Sequence, residues 1–148
     1  MTRQKVILLV GLPGSGKSTY AARHGWPVLE SDEMRRLLLD DARDQGANRT
    51  VFALLRRLLR MRLELGRPVT CVDATNLTAI ERRPYVMTAH MYGAEIEAVF
   101  FDVPVHLCMK RNLTRARVVP AEVVERMAAR LVPPGIAEGF SAVHLVRD

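Results

Sequence analysis

The chain has 148 residues, 49% hydrophobic and 26% charged, a balance that describes one soluble globular domain spanning 1–148 and excludes a disordered tail. Its formal net charge of +6 and pI near 10.0 favour a polyanionic partner, and 19 of its 22 basic residues are Arg, the better bidentate phosphate ligand, although genomic composition bias also gives such an excess. Cys71 and Cys108 lie far apart without C-x-x-C spacing and read as buried thiols of a reducing compartment. No run approaches the roughly 20 apolar residues of a membrane span, so a cytoplasmic protein is expected.

In chain order, residues 5–10 form a continuous Val/Ile/Leu run that suits a strand buried on both faces, and Gly11 breaks it. A helix is expected from Lys17 to about Arg23. Residues 27–30 read as a short second strand, after which Ser31 or Asp32 is placed to cap a helix through Met34, Leu37 and Leu38. From 48 to 65, Val51, Leu54, Leu55, Leu58, Leu59 and Met61 recur at helical spacing, with Arg56, Arg57, Arg60 and Arg62 largely filling the gaps. Residues 68–72 read as a third strand and 73–76 as a polar loop. Thr78-Ala79-Ile80-Glu81 then has the form of a capping box opening a helix that ends near Tyr92-Gly93.

A fourth strand is expected over 95–102. Pro104 suits the first turn of a helix to about Leu113, Pro120 opens another through Leu131, and 142–146 reads as the last strand. Strand and helix alternate throughout, which predicts an α/β fold: a P-loop NTPase-type parallel sheet of about five strands covered by helices on both faces.

The strongest signal is Gly11-Leu12-Pro13-Gly14-Ser15-Gly16-Lys17-Ser18, which satisfies G-x-x-x-x-G-K-[ST] between an expected buried strand and an expected helix. The glycines let successive N–H groups turn inward at a helix N-terminus, where phosphates fit. Lys17 is suited to the β- and γ-phosphates of a nucleotide such as ATP, and the Ser18 hydroxyl to a position on Mg²⁺.

In an open parallel sheet, ligands bind beyond the carboxyl ends of the strands. Asp32, Asp73 and Asp102 each fall there. Asp32 and Arg35 are three apart in a helix and project from nearly one face, so a carboxylate could accept the proton of an attacking hydroxyl while a guanidinium holds an acceptor phosphate. The pair also reads as an N-cap beside a solvated Arg. Asp73 has the placement of a Mg²⁺-supporting acid and equally of a group orienting Arg35. Thr75 and Asn76 either bond substrate or close the turn. Arg111, Arg115 and Arg117 form a basic segment between two helices, suited to a lid over the phosphates.

Together these motifs resemble the kinase domain of 5′-polynucleotide kinases, the phage end-healing enzyme and its bacterial RNA-repair relatives. The resemblance covers residues 6 to about 133 and rests on residues 11–19, Ser31-Asp32 with Arg35, Asp73-Ala74-Thr75-Asn76-Leu77 and Glu81-Arg82-Arg83. It continues through Phe101-Asp102-Val103-Pro104, Lys110-Arg111-Asn112, Arg115 and Val119-Pro120. It implies ATP- and Mg²⁺-dependent phosphorylation of a 5′-hydroxyl end of DNA or RNA in nucleic-acid repair. Gly11, Gly14, Ser15, Gly16, Lys17, Ser18 and Thr19 would then hold the donor, with Ser18 on the metal. Asp32 matches the general base and Arg35 the acceptor-phosphate ligand. Arg115 matches the catalytic Arg of an Arg-bearing helical lid, with Arg111 its helper. Asp73 matches an acid important to the site, whose role lies open between supporting Arg35 and supporting the acceptor or metal, and Asn76 is a candidate substrate-binding residue beside it. The D-x-D-x-T phosphatase signature of many family members is missing from this sequence, so no 3′-phosphatase activity is expected. Two other readings fit the same loop: a P-loop kinase of a small alcohol such as a sugar or antibiotic, and a non-catalytic nucleotide-dependent RNA-binding module.

Overall fold

The computed structural model describes residues 3–115 and 118–147. Five strands, β1 (Lys5–Val10), β2 (Val28–Glu30), β3 (Val69–Asp73), β4 (Glu95–Phe101) and β5 (Ala142–Val146), form one sheet. Their order is β2-β3-β1-β4-β5 and every neighbouring pair is parallel. The crossovers carry α1 (Lys17–His24), α2 (Ser31–Leu39), α3 (Asn48–Glu64), α4 (Ala79–Met91), α5 (Val105–Asn112) and α6 (Ala121–Arg130). This is the α/β architecture that the alternation predicts. No helix among the described residues is long and apolar enough to cross a membrane.

The apolar run of β1 is continuous because the strand is central and serves two cores. Side chains alternate across a strand. Val6 and Leu8 pack with Leu59 and Leu63 of α3 and Val86 and Ala89 of α4. Ile7 and Leu9 pack on the other face with Ala21 of α1, Cys108 of α5 and the half-buried Met127 of α6. The helices that follow β1 and β3 therefore leave toward opposite faces, and a crevice opens between these two strands at their carboxyl ends.

Two helix starts differ from expectation. Ser31 and Asp32 are the first residues of α2 rather than its cap; Glu30 holds that position and no side chain caps the helix. The acids in its first turn, Asp32 and Glu33, instead complement the helix dipole. At α4, Thr78 does accept from the Glu81 N–H at 3.2 Å, but the Glu81 carboxylate accepts from the Leu77 N–H at 2.9 Å, one residue before the reciprocal partner of a capping box.

Arg82 of α4, 0% exposed, fastens three segments. Its Nε and Nη2 donate to Glu138 at 2.8 and 3.0 Å, and its Nη1 donates to the carbonyls of Asn76 and Val132, both at 2.9 Å. The guanidinium thereby ties the loop after β3 to the chain between α6 and β5. Removing one member of a buried ion pair strands the other, so Arg82→Ala is expected to lower the unfolding free energy by about 3–5 kcal/mol. Arg82→Lys should recover little, since an ammonium lacks the fork. Urea denaturation of the two variants beside wild type measures both effects.

Candidate active site

The loop between β1 and α1 turns through Gly14 (φ 84°) and Gly16 (φ 101°), both in the left-handed region. Gly14 is also a close approach: a Cβ there would lie 2.3 Å from the Cys108 carbonyl oxygen of α5. Lys17 opens α1 and curls back, its Nζ donating to the carbonyls of Gly11 and Leu12, both at 2.9 Å. Burial lowers the Lys17 pKa; Asp73 counters this, Arg115 adds to it, and Asp32 again counters it. The next residue, Ser18, donates its hydroxyl to Asp73 Oδ2 at 2.7 Å.

Asp32 and Arg35 meet across the first turn of α2, with Arg35 Nη1 donating to Asp32 Oδ1 at 2.8 Å. Arg35 is 5% exposed. Its Nε and Nη2 donate to Asn48 Oδ1 at 3.2 and 3.1 Å, and the guanidinium carbon lies 5.6 Å from the centroid of the Phe52 ring. The first turn of α3 thus locks this arginine in place. From the opposite side, Arg115 Nη2 lies 3.6 Å from Asp32 Oδ2. Arg111 sits in the last turn of α5 and Arg115 in the connection toward α6. The feet of that connection are joined by Asn112, whose Nδ2 donates to the Val119 carbonyl and whose Oδ1 accepts from the Val119 N–H at 3.1 Å.

These groups surround one cavity of about 320 Å³. Of the residues singled out from the sequence, Gly14, Gly16, Lys17, Ser18, Thr19, Asp32, Arg35, Asp73, Arg111 and Arg115 border it. Gly11 and Ser15 are buried in the loop's own interior. Asn76 takes the turn-closing alternative: it is 4% exposed, its amide donates to the Leu9 carbonyl at 2.7 Å, which clamps the loop to β1, and it does not border the cavity. Asp102 pairs with Arg147 at 3.5 Å away from the cavity. Arg117 lies outside the described residues.

The spacing of the sequence does not reveal three further residues at the site. Asn48 and Phe52 hold Arg35, and Glu30, at the end of β2, borders the cavity beside Asp73, its register partner. Burial raises the Glu30 carboxyl pKa, and Asp73 and Asp32 raise it further.

The cradle fits an anion. Arg115, on the cavity wall, has its Nη1 buried with no hydrogen-bond partner among the described residues. An unsatisfied guanidinium N–H within electrostatic reach of Lys17, and a nest of loop amides, are what phosphate oxygens would satisfy. The Ser18 hydroxyl and Asp73 carboxylate are hard oxygen donors suited to Mg²⁺. No group of three or more His, Cys, Asp or Glu that could hold a metal occurs among the described residues, so such an ion would draw its other ligands from phosphate and water.

A loop of this form, with an acid from the neighbouring strand set against its serine and arginines opposite, is the arrangement of a P-loop kinase fold. The chain belongs to the AAA domain family, which matches residues 6–134. Over 97% of its length it is 25% identical to the L-seryl-tRNA(Sec) kinase of Methanococcus maripaludis, of which it covers 58%. A chain of the Pnkp1/Rnl/Hen1 RNA repair complex superposes with a TM-score of 0.74 at 26% identity, covering 88% of this chain and 45% of that one. The gluconokinase of Sinorhizobium meliloti 1021 shares the fold, with a TM-score of 0.65 at 18% identity, covering 99% of this chain and 84% of that one. The chain thus spans about half the length of the first two relatives.

The position of Glu30 has a measurable consequence for stability. With its folded pKa above the reference value of 4.5, the unfolded chain loses this proton first as pH rises. Stability therefore falls from about pH 4.5 up to the folded pKa and then levels off. Glu30→Gln is expected to melt above wild type at about pH 8, with the gain vanishing near pH 4 where both states are protonated. Melting curves of the two proteins across that range test it.

Proposed function

We propose that this chain is the phosphotransferase domain of a polynucleotide 5′-hydroxyl kinase, carrying the γ-phosphate of ATP to a 5′-OH end of RNA or DNA. The observation that carries this reading is the convergence on Asp32 of two guanidiniums, Arg35 on one oxygen and Arg115 facing the other, across a cavity from Lys17 and Ser18. A base set between two phosphate-binding cations suits an acceptor that brings its own phosphate next to the reacting hydroxyl. A neutral sugar would give Arg35 no such partner. The net charge of +6 and the names of the two relatives, a seryl-tRNA kinase and a component of an RNA repair complex, support the same reading.

The roles follow from the contacts. Asp32 accepts the proton of the 5′-hydroxyl as the new oxygen–phosphorus bond forms, the bond to the β–γ bridging oxygen breaks, and nucleoside diphosphate leaves. Arg35, immobilised by Asn48 and Phe52, receives the acceptor's phosphate without having to be ordered first. Lys17 exchanges two loop carbonyls for phosphate oxygens, which restores charge stabilisation to a buried ammonium. Arg115 exchanges its contact with Asp32 for the charge that develops on the transferred group. Ser18 and Asp73 would hold Mg²⁺, which when bound neutralises charge on the donor phosphates.

Incubating the protein with γ-labelled ATP, Mg²⁺ and 5′-OH oligonucleotides should label their ends, and labelling of a small sugar instead would overturn the reading. Asp32→Ala should keep ATP affinity and lower kcat by about 10²- to 10⁴-fold. Arg115→Ala should act chiefly on kcat, because its contact strengthens in the transition state. The KM for an oligonucleotide should climb steeply with salt through counterion release, a dependence that a neutral alcohol would lack.

A further inference from the structure

The outer surface between α3 and α4 carries a second cavity, a groove of about 610 Å³. One wall is Ala53, Arg56, Arg57 and Arg60, spaced to lie along a single stripe of α3. The other wall and the floor come from α4, where Ile80, Met87 and Met91 are 84%, 55% and 64% exposed. Arg83 rises beside them. Arg56, Arg57 and Arg83 form no ion pair among the described residues. Arg60 makes only a 3.7 Å contact with the Met91 sulfur. Three other exposed arginines have carboxylate partners, Arg36 with Glu33, Arg43 with Asp41 and Arg130 with Glu81, whereas exposed arginines without an ion pair among the described residues, such as Arg23 and Arg67, lie outside this groove. The groove is therefore a concentration of uncompensated positive charge over an apolar floor.

Its position matters as much as its charge. Both helices run away from the carboxyl end of the sheet, the end at which the active-site cavity lies. Phe52 borders that cavity, and Ala53 beside it borders the groove; Thr75 borders the cavity, and Ile80, in the first turn of α4, borders the groove. The groove thus begins toward the same end of the sheet as the reaction site and follows the two helices. We propose that it is the track for the body of a single-stranded polynucleotide whose 5′ end lies in the active site, a reading that rests on the function proposed above. Guanidiniums along one wall meet successive phosphates, while the thioethers of Met87 and Met91 suit the aromatic faces of unstacked bases. A duplex, with its bases stacked inward, would leave that apolar floor uncovered.

The test combines the triple variant Arg56→Gln/Arg57→Gln/Arg83→Gln with 5′-OH single strands of graded length and a nucleoside 3′-phosphate as the shortest acceptor. None of the three residues touches the catalytic cavity, so kcat, the KM for ATP and the KM for the shortest acceptor should match wild type. For long strands, KM should rise on the order of tenfold, and the slope of log KM against log salt should fall by about 2, from ~0.7 per phosphate contact on a single strand. Equilibrium binding of the same 3′-labelled strands without ATP provides a readout free of catalysis. Unaltered binding and KM in the variant would overturn the groove while leaving the kinase reading intact. Strand binding that depends on the three arginines, with no phosphate transfer in wild type, would uphold the groove and overturn the kinase reading. Arginine-dependent binding of polyglutamate but not of oligonucleotides would overturn the groove as a nucleic-acid track and assign it to an acidic protein partner.

Discussion

The parallel ladder between β1 and β3 is the constraint on which the site depends. Its register sets Leu8 opposite Val72, so the glycine loop after β1 and the carboxylate at the end of β3 leave the sheet side by side. Two bonds extend the ladder past its end: the Gly11 N–H donates to the Thr75 carbonyl at 3.0 Å, and the Asn76 amide donates to the Leu9 carbonyl. With the two loops clipped together, the 2.7 Å contact between Ser18 and Asp73 follows from backbone geometry and needs no local adjustment. A slip of this strand pair would separate the hydroxyl from the acid and uncouple the two halves of the cavity.

Around that frame the protein gathers charges that would not choose each other's company. Glu30, Asp32 and Asp73 face Lys17, Arg35, Arg111 and Arg115 across one small space. Desolvation weighs against the ionised form of both Lys17 and Glu30. Such crowding is a cost to stability that the cores above and below the sheet must offset, and it is the usual mark of a place where chemistry is done. Elsewhere the buried cation Arg82 is matched with carboxylate and carbonyls on every side, which is the structural solution to the same problem.

Much of the fold was legible in the sequence because its signals are local: a continuous apolar run for each central strand, Gly and Pro at the breaks, and the Gly11–Ser18 loop in its strand-to-helix setting. Asp32 with Arg35 was legible for the same reason, since one helical turn brings them together. What was hidden depends on strands and helices distant in sequence. Glu30 adjoins Asp73 only because β2 lies beside β3, and Asn48 reaches Arg35 only because α3 returns past α2. Asn76 stays open between two roles in the sequence because a polar residue after a strand reads the same whether its amide faces solvent or a neighbouring carbonyl. The arginines of α3 are spaced in the sequence like any residues between core positions, and it is α4, distant in sequence, that supplies the opposite wall of their groove.

The bridge that Asn112 makes to Val119 has a consequence for how such domains diversify. One buried carboxamide grips both the amide and the carbonyl of a residue seven positions on, so the end of α5 is tied directly to the start of α6. Arg111 and Arg115 can therefore be exchanged for other residues while the joint between α5 and α6 stays in place.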